Sequence, residues 1–132
     1  MTPGRRRTAT ASAYEDVIGY SRAVIDPDGW VFVSGCTGVD STTMTVAEGV
    51  EAQCAAALAT IETALASAGA GFGDVVRVRY ILPDRTDFAA CWPQLRAAFG
   101  TARPAATMIV AGLIDPRMRI EIEVTARLLN GE

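Results

Sequence analysis

Histidine and lysine are both missing from this chain, and its twelve basic residues are all arginine. The first absence excludes a histidine general base, a Ser-His-Asp triad and a histidine metal site. The second excludes a lysine Schiff base. Acid–base work must fall to Asp, Glu, Tyr, Cys or water. The three cysteines, Cys36, Cys54 and Cys91, are odd in number and lack CxxC spacing, so the thiols read as reduced and no metal site is indicated. No apolar run reaches the roughly 18 residues of a membrane span, and no signal-type segment stands before the globular part. The expectation is a cytoplasmic protein with no membrane partner. A net charge of −3 argues against nucleic acid as a partner of the folded part.

What is present is a chain of 132 residues, half of them apolar, which suits one domain with its own core. Residues 1–12, MTPGRRRTATAS, read as a disordered, solvated tail carrying the Arg5-Arg6-Arg7 run, and 13–132 as the single domain. Ile18 to Ile25 and Trp30 to Ser34 are β-branched-rich runs joined by Asp26-Pro27-Asp28-Gly29, which predicts a hairpin. Tyr20, Arg22 and Val24 share one face of its first strand. Thr45 and Glu48 match a capping box, predicting a helix over 46–68 stopped by Gly69. Its apolar stripe is Val50, Cys54, Ala57, Leu58, Ile61, Leu65 and Ala68. A strand follows over 74–82, with Val76, Val78, Tyr80 and Leu82 on one face and Val75, Arg77, Arg79 and Ile81 on the other. A second helix, capped by Thr86 or Asp87, runs to Phe99 with Phe88, Trp92, Leu95 and Phe99 as its stripe. Pro93 either kinks that helix or marks the first turn of one that starts later.

The last stretch runs from Arg103 to Val110, turns at Asp115-Pro116, and returns from Met118 to Ala126 as the second arm of a hairpin. Ile120, Ile122, Val124 and Ala126 alternate with Arg119, Glu121, Glu123, Thr125 and Arg127. The order is β-β-α-β-α-β-β, an α+β fold with a mixed sheet and two helices on one face. The other face, with Arg77, Arg79, Arg119, Glu121 and Glu123 beside Ile81 and Met108, is too apolar for open solvent and too charged for a core. It predicts association through that face, with charges paired across strands and subunits.

These pieces, in this order, resemble the Rid group (reactive intermediate deaminase, YjgF-type, also labelled L-PSP). The matching residues are Gly19-Tyr20-Ser21-Arg22-Ala23-Val24, Val31-Phe32-Val33-Ser34-Gly35, Gln53, Ala68-Gly69, Gly73-Asp74-Val75-Val76, Asp87-Phe88, Pro104-Ala105-Ala106-Thr107 and Ile120-Glu121-Ile122-Glu123. The resemblance implies a chorismate-mutase-like fold and a homotrimer whose sheets form a central barrel, with small-molecule clefts between subunits and no cofactor. It also implies deaminase-type hydrolysis of reactive imines and enamines such as 2-aminoacrylate. Carried over by position, Glu121 orients the water and Tyr20 lines the cleft, with Gly35, Cys36, Ala106 and Thr107 beside them. At Ala106 the related enzymes hold the arginine that grips the substrate carboxylate; alanine offers neither charge nor donor, which argues against 2-aminoacrylate. Arg103 lies three positions upstream, an odd offset that sends its side chain to the other face of an extended strand. Arg22 is a candidate replacement anchor or the partner of an acidic neighbour. Cys36 is a candidate nucleophile or a small cleft wall. The alternatives are a non-catalytic metabolite-binding trimer and the family's older label of ribonuclease or translation inhibitor.

Overall fold

A computed structural model describes residues 4–10 and 12–129. Its sheet has six strands in the order β1-β2-β3-β6-β4-β5. In chain order these are β1 (Arg6–Thr8), β2 (Ala23–Ile25), β3 (Trp30–Cys36), β4 (Val75–Leu82), β5 (Ala105–Val110) and β6 (Glu121–Arg127), with helices α1 (Val50–Ser67) and α2 (Phe88–Phe99). The expected α+β order is therefore present, extended by β1 at the N-terminal edge.

The expected terminal hairpin is not formed. β5 pairs with β4 in parallel, and β6 inserts between β3 and β4, antiparallel to both. The connection over 111–120 is too long for a tight turn, and β6 has an apolar face that is best buried at the centre of the sheet. Ile120, Ile122, Val124 and Ala126 are all buried, as their alternation requires. They meet Val31, Val33, Val78 and Tyr80 from the flanking strands, together with the α1 stripe of Val50, Cys54, Ala57, Leu58, Ile61 and Leu65. α2 lies beside α1, and its Phe88 ring sits 5.3 Å from that of Tyr80. Burial lifts the Tyr80 hydroxyl and the Cys54 thiol each to about 12.

Several boundaries differ from the sequence reading, each for a local reason. The first strand starts at Ala23, not Ile18, because Glu15–Gly19 form a π-helical turn closed by the Tyr20 N–H donating to the Glu15 carbonyl at 3.0 Å. Gly19 has a φ of 95°, which breaks the extended path. α1 begins at Val50 rather than Val46. Thr45 bonds the Thr43 hydroxyl instead of a helix N–H, and Val46 bridges Val39. Its end is as expected: Gly69 has a φ of 79°, and the Ala70 N–H reaches back to the Leu65 carbonyl at 2.8 Å. Pro93 lies inside α2, which starts ahead of it at Phe88. Trp92 is 58% exposed, and Cys91 takes its place in the buried stripe. A bulge between Val75 and Arg77 turns Val75 inward and leaves Val76 exposed.

Arg6–Thr8, within the stretch read as a disordered tail, pairs with β2 and covers an edge that would otherwise present bare backbone. Residues 1–3 and 11 of that stretch lie outside the described residues. On the open face, β3, β6 and β4 present Phe32, Thr125, Glu123, Glu121, Arg77, Arg79 and Ile81, but Arg119, expected among them, instead reaches Asp87 at the start of α2, 2.8 Å away. Met108 is placed differently. It registers with Tyr80, and Ala106 with Val78, so both belong to the helix-covered side at an edge the helices do not reach. We expect Ile122→Ala, at the centre of the core, to cost about 2–5 kcal/mol in urea unfolding. Trp92→Ala, on the solvent side of α2, is expected to cost about 1 kcal/mol or less.

Candidate functional site

A cleft of about 600 Å³ opens where β2, β3 and β6 meet the loops before β2, after β3 and before β6. Tyr20, Arg22, Gly35, Cys36 and Glu121 line it. These five expected site residues are brought together by the fold. Ala106 and Thr107 are not: they stand on exposed β5, two strands beyond β6, and do not line this cleft.

Glu121 reaches the cleft because it is the first residue of β6, on the open face opposite Ile81. Its carboxylate passes over the backbone of Gly35. A Cβ at Gly35 would lie 2.5 Å from Glu121 Oε2, so only glycine allows this approach. Burial raises the pKa of Glu121, the neighbouring Glu123 adds to the rise, and the Arg22 charge opposes it. Glu121 makes no ion pair among the described residues, whereas Glu123 is paired with Arg79 at 3.6 Å.

Arg22 is largely committed to the protein. Its Nη1 donates to the Gly35 carbonyl at 3.0 Å and to Cys36 Sγ at 3.4 Å, with a longer contact of 3.5 Å to the Ser34 carbonyl. Its Nη2 lies 3.9 Å from the buried carboxylate of Glu15. The guanidinium also stands 5.8 Å from the Tyr20 ring centroid, within cation–π range. Nε is buried without an acceptor. Glu15 in turn accepts from the backbone N–H and the hydroxyl of Thr10, which folds the N-terminal segment over Arg22. Of the two roles open to Arg22, pairing with an acidic neighbour is therefore filled.

Cys36 is buried, and its S–H donates to the Ser34 carbonyl at 3.2 Å. Burial pushes its pKa up more than Arg22 lowers it, so the thiol stays protonated and acts as a wall. Arg103 sits in the left-handed region and donates Nε–H to the Gly100 carbonyl at 3.2 Å, occupied at the end of α2. Arg119 is paired with Asp87 at 2.8 Å.

Two supporting residues escaped the sequence reading. Glu15 gave no signal beyond the need of a buried arginine for an anion. Gln53 stood out only as part of the resemblance, yet it is buried on α1. Its amide donates to the carbonyls of Ala47 (2.9 Å) and Arg117 (3.0 Å) and accepts the Arg119 N–H (2.7 Å). It thereby pins the loop that leads into Glu121, and each partner left unpaired would cost about 1–3 kcal/mol. The cleft loop also contains Asp115 and Arg117, joined by two bonds of 2.8 and 3.1 Å. Those bonds hold Asp115 down at about 2.

Comparison with known proteins follows the same lines. The family described as Endoribonuclease L-PSP matches residues 10–128. This chain belongs to the Rid/YjgF family. It is 32% identical to the RutC family protein UK114 of Drosophila melanogaster, covering 92% of this chain and 88% of that one. It is 30% identical to the 2-iminobutanoate/2-iminopropanoate deaminase of Salmonella typhimurium, covering 77% and 82%. A crystal structure of a YjgF/YER057c/UK114 family member from Mycobacterium tuberculosis superposes with a TM-score of 0.84 at 36% identity, covering 94% of this chain and 99% of that one.

The site geometry makes two predictions. Gly35→Ala must displace the Glu121 carboxylate. The variant should keep its circular dichroism spectrum and lose the ability to bind whatever ligand the parent binds. The second concerns pH. Because the folded pKa of Glu121 is raised, the unfolded chain ionises this group first as pH climbs through the carboxylate range, and the folded state loses stability there. Glu121→Gln removes that loss. In urea unfolding the variant should be more stable than the parent near neutral pH, with the gap closing as pH falls below the ordinary carboxylate range.

Proposed function

We propose that this Rid/YjgF protein is an imine- or enamine-hydrolysing enzyme acting in clefts between the subunits of a homotrimer. The observation that carries it is the position of Glu121: a half-buried carboxylate of raised pKa, without an ion-pair partner among the described residues, held against the Gly35 backbone in an open cleft. Such a group suits a general base better than an ordinary exposed carboxylate, because its affinity for a proton is closer to neutral pH. The carboxylate supplies the acceptor that an attacking water needs in order to be held and deprotonated.

Association is supported by the open sheet face. Phe32 is 48% exposed there, beside half-exposed Arg79 and Glu123, a mixture that favours a partner surface over solvent. A second subunit would also account for β5, whose residues are nearly all exposed. In such an assembly Ala106 and Thr107 would approach a neighbour's cleft rather than their own. Ribonuclease chemistry fits less well, since a cleft with an unpaired carboxylate repels a phosphodiester. A chromatographic mass near three subunits, together with a loss of about 100-fold or more in imine hydrolysis for Glu121→Gln, is the expected result. A single-subunit mass, or unchanged turnover in the variant, would overturn the reading.

A further inference from the structure

The charges lining the cleft sort into pairs with one remainder. Arg117 is held by Asp115 through two short bonds. Arg22 is shared among Glu15, the Gly35 carbonyl and Cys36. Glu121 alone has no opposite charge within ion-pair distance among the described residues. The remaining wall is largely apolar or aromatic, including Tyr14, Ile18, Val39, Met44, Ile114 and Met118. A substrate carboxylate placed here would compete with Glu15 for Arg22 and share the cleft with Glu121. Two anions in a partly buried site repel, and among the described residues of this wall no free guanidinium fork remains to compensate. A cation meets the opposite situation. It would pair with Glu121 and lower the cost of that buried charge, in a wall that also contains the aromatic side chains of Tyr20 and Tyr14.

Resting on the hydrolase reading above, we infer that the substrate is a carboxylate-free imine, bound in its protonated iminium form against Glu121 and derived from an amine rather than from an amino acid. The step balances with water as the only co-reactant. Water adds to the iminium carbon as the C=N π pair moves to nitrogen, and Glu121 takes the proton that water loses. Glu121 returns that proton to the nitrogen, the C–N bond breaks, and ammonia departs with the remaining hydroxyl proton. The products are a ketone or aldehyde and an ammonium ion, with no net oxidation. The reaction that supplies such a substrate must be an oxidation of a primary amine, which generates the C=N bond.

The test uses the full chain with two imine sources in parallel, each with semicarbazide as a competing trap. A flavin-dependent amine oxidase acting on 1-phenylethylamine releases a carboxylate-free imine. An L-amino-acid oxidase acting on leucine releases a 2-imino acid. We expect hydrolysis of the amine-derived imine to be favoured by at least tenfold, and to be lost in Glu121→Gln. Equal or greater turnover of the 2-imino acid overturns the substrate class and leaves the hydrolase reading standing. If neither imine is hydrolysed the hydrolase reading fails, and titration with benzamidine and benzoate decides the charge preference. Benzamidine binding that Glu121→Gln abolishes supports a cation site. Benzoate binding at equal or higher affinity, or binding of neither compound, overturns it.

Discussion

The structure depends on the placement of β6 at the centre of the sheet. Its backbone is paired on both sides, with β3 and with β4, so its polar groups are satisfied within the protein. Its inward side chains anchor both helices through the shared core. The same insertion carries Glu121 to the end of a central strand, next to Gly35 on β3. Had β6 paired with β5 as a hairpin, Glu121 would lie far from Tyr20, Arg22 and Cys36, and no common cleft would form. A single topological choice thus builds the core on one face of the strand and the candidate site on the other.

A buried arginine organises the rest of the cleft. A guanidinium taken out of water must find charge and acceptors, or the fold loses several kcal/mol. Arg22 finds Glu15, a backbone carbonyl and a thiol, and in doing so ties the N-terminal segment to β3. Burial keeps the Cys36 thiol protonated even though the Arg22 contact works in the opposite direction. The contacts of Arg22 fill the pairing role that the sequence had left open for it. Glu121 is left without an ion pair among the described residues, and burial, with Glu123 beside it, raises its pKa.

Much of the fold was legible from periodicity. The alternation in 119–127, the α1 stripe and the Asp26–Gly29 turn each reflect a local rule that the folded chain keeps. The failures came where local signals competed. Ile18 carries strand propensity, but the positive φ of Gly19 and the π-helical turn take that segment out of the sheet. The Thr45–Glu48 box was a valid helix start that the Val39–Val46 bridge displaced. In the site, Tyr20, Arg22, Gly35, Cys36 and Glu121 were named from sequence and converge. Glu15 and the pinning role of Gln53 were not visible, because their partners are set by folding rather than by spacing.

The amino-acid sequence by itself determined the family, through an ordered set of matching motifs, and the helix and strand content and the absence of histidine and lysine chemistry, through composition and short-range pattern. Only the tertiary structure decided which strands pair, which charges neutralise one another, and which one is left over. Strand order and ion pairing are contacts between residues distant in the chain. No periodicity records that Arg22 belongs to Glu15 while Glu121, across the same cleft, has no ion-pair partner among the described residues.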